Sequence, residues 1–256
     1  MMFSVVTVTF NAQGSLPGTM RSLAVQGHKD YEWVVADGKS GDATLAVAAE
    51  FEAAPVSIVS EADAGIYDAM NKAIKRAQGE YIYFLNSDDE FASADVLAKA
   101  ASLLSAGKPD LLIGRVLFVG GARDKLRSYA HITPHRLLFD SLCHQAVFAR
   151  RDLFERFGDF DLGLRYSADY DWLIRVMQGG ARVAHTDCIV SRFRVGGAHA
   201  QAASKTAQEN EAVRRRHASP LALGLGRAWY GNLYRARRLL GLEATGHRTL
   251  DTAARN

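Results

Sequence analysis

Phe3-Ser-Val-Val-Thr-Val-Thr-Phe10, followed at once by Asn11-Ala-Gln-Gly14, decides the fold. A half-exposed strand alternates apolar and polar residues. This run is β-branched or aromatic at nearly every position, so it predicts a strand covered on both faces, as in a parallel sheet. The Asn-Ala-Gln-Gly turn then starts a helix, with Ser15 as N-cap and Leu16, Met20 and Leu23 at helical spacing.

Outward from that stretch the same unit recurs. Glu32-Trp-Val-Val-Ala-Asp37 predicts a second strand ending on a carboxylate, Gly38-Lys-Ser-Gly-Asp42 a loop, and Ala43–Phe51 a helix. Val56–Val59 predicts a third strand. Ile66, Met70, Ile74 and Ala77 predict a helix closed by Gly79, with Met70 facing the core. Tyr81–Leu85 is a fourth strand, delivering Asn86-Ser-Asp-Asp89 at its end. Strands alternating with helices through short connections give an α/β domain with a mostly parallel sheet.

The second half is more mixed. Leu111–Val119 predicts a strand, Gly120-Gly121 a turn, Ala149–Phe157 and Tyr170–Met177 helices, and 182–195 one or two strands. A polar helix over Lys205–His217 precedes a basic amphipathic helix over Leu221–Leu242. In that last helix Leu225, Trp229, Leu233, Ala236 and Leu240 share one face, and Arg227 and Arg238 point the other way.

The chain has 256 residues, 48% hydrophobic and 23% charged, which excludes a disordered chain or a fibrous repeat. No stretch approaches the roughly 18 apolar residues that span a bilayer. Met1–Val8 lacks the basic region and cleavage site of a signal peptide. Cys143 and Cys188 form neither a disulfide framework nor a zinc-finger spacing; they read as inert buried thiols in a reduced, cytosolic protein.

The net charge of +3 is unevenly spread: residues from Lys205 onward carry +6 and the remainder −3. A basic tail suits an anionic surface. Its Leu/Trp face opposite a basic face fits an interfacial membrane helix. It lacks the aromatic interleaving of a nucleic-acid surface, so no nucleic-acid partner is expected. Packing of residues 219–242 on the domain, or on a second copy as a homodimer, is the equal alternative. The expected location is the cytoplasm, with peripheral attachment to the inner face of the membrane if the tail binds lipid.

Ligands of open parallel sheets sit beyond the carboxyl ends of the strands. Here those ends carry Thr9, Phe10 and Asn11, then Asp37, then Asp88 and Asp89. Paired carboxylates at a strand end suit a hard divalent cation that bridges to phosphates. The chain has no P-loop, G-x-G-x-x-G, H-E-x-x-H or G-x-S-x-G motif, which counts against common NTPases, dinucleotide oxidoreductases, zincins and α/β-hydrolases.

Several strings occur in order: Val6-Thr-Val-Thr-Phe-Asn-Ala12, Trp33-Val-Val-Ala-Asp-Gly-Lys-Ser-Gly-Asp-Ala-Thr44, Ser60 to Ile74 with Gly65-Ile-Tyr-Asp-Ala-Met-Asn71, Gly79-Glu80 and Phe84-Leu-Asn-Ser-Asp-Asp89. His144-Gln-Ala-Val-Phe148, Gly158-Asp-Phe-Asp161, Ala168-Asp-Tyr-Asp-Trp172 and Phe193-Arg-Val-Gly-Gly197 extend the set. Over roughly residues 3–200 this set resembles glycosyltransferase family 2, with its GT-A fold. In particular it is similar to a bacterial branch that builds surface polysaccharides, including colanic-acid-type enzymes.

The resemblance implies a GT-A domain over 1–204, with a nucleotide-sugar-binding half (1–90) and an acceptor and catalytic half (91–204), and a basic helical extension over 205–256. It implies that Thr9, Phe10 and Asn11 line the nucleotide pocket and that Asp37 hydrogen-bonds the base. Asp68 and Asn71 would reach the sugar or diphosphate. Asn86-Ser87-Asp88 stands at the family's Asp-x-Asp position: Asp88 would coordinate Mg²⁺ or Mn²⁺, and Asn86, in place of the first Asp, would bind a ribose hydroxyl. Asp169 stands at the catalytic base of an inverting reaction, with Asp171 the weaker candidate. His144 and His199 are candidates for contacts to the acceptor or diphosphate, and Trp172 for core packing. The donor would be a UDP-, GDP- or dTDP-linked sugar and the acceptor a glycan or lipid-linked oligosaccharide.

Two other functions compete. A sugar-phosphate nucleotidyltransferase needs a Gly-rich, Lys/Arg-bearing loop after the first strand, where this chain has Asn11-Ala-Gln-Gly-Ser-Leu16. A non-catalytic nucleotide-sugar-binding module would have no use for Asp88 and Asp169.

Overall fold

A computed structural model describes residues 1–196, 203–239 and 247–249. His199 and Leu240 lie outside the described residues. The first half is strand and helix in alternation: β1 (Phe3–Thr9), α1 (Leu16–Ala24), β2 (Tyr31–Asp37), α2 (Thr44–Ala49), β3 (Val56–Ser60), α3 (Ile66–Ile74), β4 (Tyr81–Phe84), β5 (Glu90–Phe91) and α4 (Val96–Gly107). There follow β6 (Leu111–Val119), β7 (Lys125–Arg127), α5 (Pro134–Leu137), a 3-10 turn at His144–Ala146, β8 (Val147–Arg150), α6 (Asp152–Phe157), α7 (Ala168–Gln178) and β9 (Val183–Arg194). Helices α8 (Ala203–His217) and α9 (Pro220–Leu239) and a short β10 (His247–Thr249) complete the described chain.

The sheet runs β10-β7-β6-β8-β4-β1-β2-β3. Strands β3, β2, β1 and β4 are all parallel. Antiparallel β8 joins this half to β6, and β9 lies parallel to β6. All of β1 and β2 is buried, as the apolar run predicts. Because side chains alternate across a strand, Phe3 and Val5 fall on one face with Leu16, Leu23 and Val96, while Val6 and Val8 fall on the other with Met70, Ala73, Leu173 and Ile174. The parallel pairing of β3, β2, β1 and β4 is what brings their four carboxyl ends to one rim. Trp172 is indeed packing: its ring stacks on Phe154 at 4.2 Å.

Several local expectations change. Ser15 sits at the N-cap of α1 but makes no capping bond; its hydroxyl turns back to Ala12 O at 3.4 Å. Helix α3 ends at Ile74, and Gly79 serves instead as a close-approach residue, since a Cβ there would clash with the Phe3–Ser4 backbone. The predicted helix over 149–157 divides into β8 and α6, because Val147–Ala149 is captured between β4 and β6. Region 182–195 is one strand, β9.

Helix α8 packs on α7 and buries Val213 in the core. Helix α9 rests on the domain through buried Leu223, through Gly226 against the Phe139 ring, and through Tyr230, whose ring lies 5.1 Å from Phe139. Leu221, Leu225, Trp229 and Leu233 face outward, with Trp229 71% exposed. Among the described residues no helix is long and apolar enough to cross a membrane.

Candidate active site

The strand ends meet through Asp37. Thr9 pairs in register with Asp37, and Asp37 with Ser60. Asp37 is only 2% exposed. Its Oδ1 accepts from Thr9 Oγ1 at 2.9 Å and Ser40 Oγ at 2.5 Å; its Oδ2 accepts from Ser40 N at 2.9 Å and Ser60 Oγ at 2.7 Å. Burial pushes this carboxyl up, but the hydrogen bonds from Ser40, Ser60 and Thr9 outweigh it and hold it below the usual range. Four donors fill the four acceptor positions of a carboxylate. A further donor reaches Asp37 only by replacing one of these four.

Ser40 also ties this loop to the end of β1. Its Oγ accepts from Asn11 N at 2.8 Å, and Asn11 Oδ1 accepts from Gly41 N at 2.8 Å. Asn11 holds φ 50°, a left-handed conformation that asparagine tolerates. Ala12 N donates to Thr44 Oγ1 at 2.7 Å. The two loops are thus one laced platform, and the neighbouring Phe10 stands 67% exposed beside it.

A cleft of about 430 Å³ opens above the platform, lined by Phe10, Asn11, Ile66, Asn86, Asp88 and Arg194, among others. Asn86 is 8% exposed, and among the described residues its Oδ1 has no hydrogen-bond partner. Asp88 is half-buried in the wall. Asp89 points inward, accepting from Arg194 N at 2.8 Å and from Gln145 Nε2. Burial, then the neighbouring charge of Asp88, pushes the Asp89 carboxyl up.

These groups fit a hard divalent cation. Asp88 offers carboxylate oxygen toward the cleft, its negative charge is felt by its neighbour, and Asn86 adds a buried oxygen without a donor. No cluster of three ligating side chains exists among the described residues. The ion would therefore be held by Asp88 and completed by water and diphosphate oxygens, as Mg²⁺ and Mn²⁺ often are.

Next to this cleft lies a second one of about 160 Å³, lined by Ser141, His144, Tyr166, Ser167, Asp169 and Asn210, among others; Phe193 borders both. Asp169 sits in the first turn of α7. Its Oδ1 accepts from Tyr67 OH at 2.8 Å and Tyr170 N at 2.9 Å, and its Oδ2 lies 2.9 Å from His144 Nδ1. Burial raises this carboxyl, but the hydrogen bond and charge of His144, with the bonds from Tyr67 and Tyr170, bring it below the usual range. The opposite ring nitrogen, Nε2, lies 3.4 Å from Asn86 Nδ2. Asn86, His144 and Asp169 therefore form a chain from one cleft to the other.

Other expected residues lie apart. Asn71 is turned away: its Nδ2 donates to Phe160 O at 2.9 Å and its Oδ1 accepts from Phe160 N at 3.0 Å. Asp68 accepts from Ala64 N at 2.9 Å and pairs with Lys72 at 3.1 Å, so it stabilises the start of α3. Asp171 pairs with Arg175 and His217, each at 2.8 Å, and braces α8 against α7. Cys143 is half-buried, its thiol pushed up to about 12 by burial. Tyr67, Gln145 and Arg194 join the site without a sequence-based expectation of a role. Their signal is the motif strings, since each stands inside one, Tyr67 beside Asp68 and Gln145 beside His144.

The model of the family described as Glycosyl transferase family 2 matches residues 4–160. A PGL/p-HBAD biosynthesis glycosyltransferase of Mycobacterium bovis (strain BCG / Pasteur 1173P2) is 38% identical over 195 residues, 71% of this chain and 72% of that protein. The putative teichuronic acid biosynthesis glycosyltransferase TuaG of Bacillus subtilis (strain 168) is 34% identical over 93 residues, 35% of this chain and 37% of that protein. In fold the chain is similar to S. aureus TarS 1–349 in complex with UDP-GlcNAc, with TM-score 0.69 and 22% identity, covering 77% of this chain and 59% of that one. It is also similar to the mannosyltransferase PcManGT of Pyrobaculum calidifontis in complex with GDP-Man and Mn²⁺, with TM-score 0.60 and 18% identity, covering 93% and 82%.

Proposed function

Because the chain belongs to glycosyl transferase family 2, we propose that it moves a sugar from a nucleotide-sugar donor to a glycan or lipid-linked glycan acceptor with inversion at the anomeric carbon, in surface polysaccharide synthesis. The observation that carries this reading is the pair of adjoining clefts, each with its own carboxylate: Asp88 in the larger and Asp169 in the smaller.

The donor lies in the larger cleft. Phe10 offers an exposed face for the base, and Asp37 accepts its N–H once a serine hydroxyl gives way. Asn86 takes a ribose hydroxyl on its unpartnered Oδ1. Asp88 would hold Mg²⁺ or Mn²⁺, which when bound would supply positive charge to the leaving diphosphate. The acceptor enters the smaller cleft, where Asp169 removes the proton from the attacking hydroxyl. Attack from the face opposite the diphosphate gives inversion.

The outward stripe of α9 supports attachment to an anionic membrane beside a lipid-linked acceptor. Leu221, Leu225, Trp229 and Leu233 are apolar, exposed and on a basic helix, the pattern of an interfacial helix.

The test is incubation with UDP-, GDP- and dTDP-sugars plus Mn²⁺, with and without lipid-linked glycan acceptors, and NMR assignment of the product anomer. Acceptor-dependent transfer with an inverted anomer is expected. Nucleotide-sugar binding without turnover for every donor and acceptor would leave a binding module instead.

A further inference from the structure

The two carboxylate oxygens of Asp169 are unequally occupied. Oδ1 is filled by Tyr67 OH and Tyr170 N–H, and among the described residues Oδ2 carries one hydrogen-bond contact, to His144 Nδ1. A carboxylate oxygen has two acceptor directions, so one direction at Oδ2 stays open, in the wall of the smaller cleft. The facing carboxylate only accepts, which assigns a hydrogen to His144 Nδ1, and the Asn86 amide nitrogen only donates, which makes Nε2 the acceptor.

We propose that His144 is the positioning residue of the base: its Nδ1–H holds Asp169 Oδ2 with the open direction toward the acceptor, and its Nε2 anchors the ring on Asn86 at the donor cleft. This rests on the glycosyl-transfer reading above. Among the described residues His144 is the one side chain that contacts Oδ2, while Tyr67 and Tyr170 contact Oδ1. Among the described residues the titratable groups around Asp169 are Tyr67 on α3, Cys143 and His144 at the 3-10 turn, Tyr166 in the cleft wall, Tyr170 on α7 and Glu209 on α8. Tyr67 is itself held protonated, because burial and then Asp169 push it well above its ordinary range. Among these groups His144 alone donates to Oδ2.

The test compares pH profiles of kcat for wild type, His144→Ala and His144→Asn, with UDP affinity measured on each. His144→Ala leaves only the bonds from Tyr67 and Tyr170 to offset burial of the carboxyl, so the acid limb moves toward neutral by about one pH unit or more. His144→Asn retains an amide N–H near the Nδ1 position and returns the limb toward wild type. UDP affinity stays within about threefold, far less than a lost donor contact. An unmoved limb in His144→Ala overturns the proposal. So does a wild-type limb in His144→Asn with activity as low as the alanine variant, since the ring itself would then take the proton. The pair is also read without turnover by ¹⁵N imidazole NMR at pH 8, where Nδ1 protonated and Nε2 bare is expected. A majority Nε2–H tautomer overturns the proposal whatever the activity. A wild type that transfers no sugar yet shows the expected tautomer overturns the transfer reading and leaves the pair standing.

Discussion

Thr9 and Asp37 end neighbouring parallel strands in the same register, and the Thr9 hydroxyl donates to Asp37 Oδ1 across 2.9 Å. Removing that buried carboxylate leaves the Thr9, Ser40 and Ser60 donors without their acceptor. Asp37→Ala should cost about 1–3 kcal/mol, the penalty of a buried unsatisfied polar group, read as a lower urea midpoint. The group's folded pKa is depressed, so its stabilisation is present above the unfolded carboxylate pKa of about 3.9 and is lost as pH falls through the folded value. Asp37→Asn should remove that acid-side slope; an unchanged slope would assign it to other carboxylates.

Asp88 projects into the larger cleft from a half-buried position. Asp88→Ala should abolish transfer while the thermal midpoint shifts little, as for surface substitutions within about ±0.5 kcal/mol. Excess EDTA should mimic the variant and added Mn²⁺ restore the wild type. Full activity in EDTA would exclude the metal role.

Asp169→Asn keeps the shape of the side chain but not its capacity to take a proton. Transfer should fall by roughly 10² or more, as for general bases. Donor affinity should persist, because Asp169 borders the smaller cleft. Equal collapse of donor binding would make Asp169 a binding residue.

On α9 the buried and exposed faces separate two functions. Leu223 is buried and Tyr230 lies against Phe139, whereas Leu225 and Trp229 face outward. Replacing Leu225 and Trp229 with Glu should release the protein from anionic liposomes at low salt without lowering its stability. Attraction of the arginines alone, about 1 kcal/mol each near such a surface, should fade at high salt. Wild type that ignores liposomes would end the membrane reading.

Gly79 backs directly onto the Phe3–Ser4 backbone. Gly79→Ala should destabilise by about 1–3 kcal/mol, the usual range for overpacking, measured by denaturant unfolding. A neutral result would mean that the β4 entry shifts freely.

By itself the sequence determined the order of strand and helix in the first half and the residues that crown the strands. Both follow from local signals: two-sided apolar runs in β1 and β2, helical spacing in α1 and α3, and polar residues where the runs stop. It read Ala149–Phe157 as helix because Val147–Ala149 is short, and a short apolar run does not distinguish strand from helix until neighbours pair with it. The partners of the site residues were decided only by the tertiary structure. Tyr67 reaches Asp169 across 102 positions, Asp89 reaches Arg194 N across 105, and Asn71 is taken up by Phe160 across 89. Periodicity states which face a side chain occupies. The folded geometry alone brings distant chain segments within hydrogen-bond range, and so gives His144 both Asp169 and Asn86.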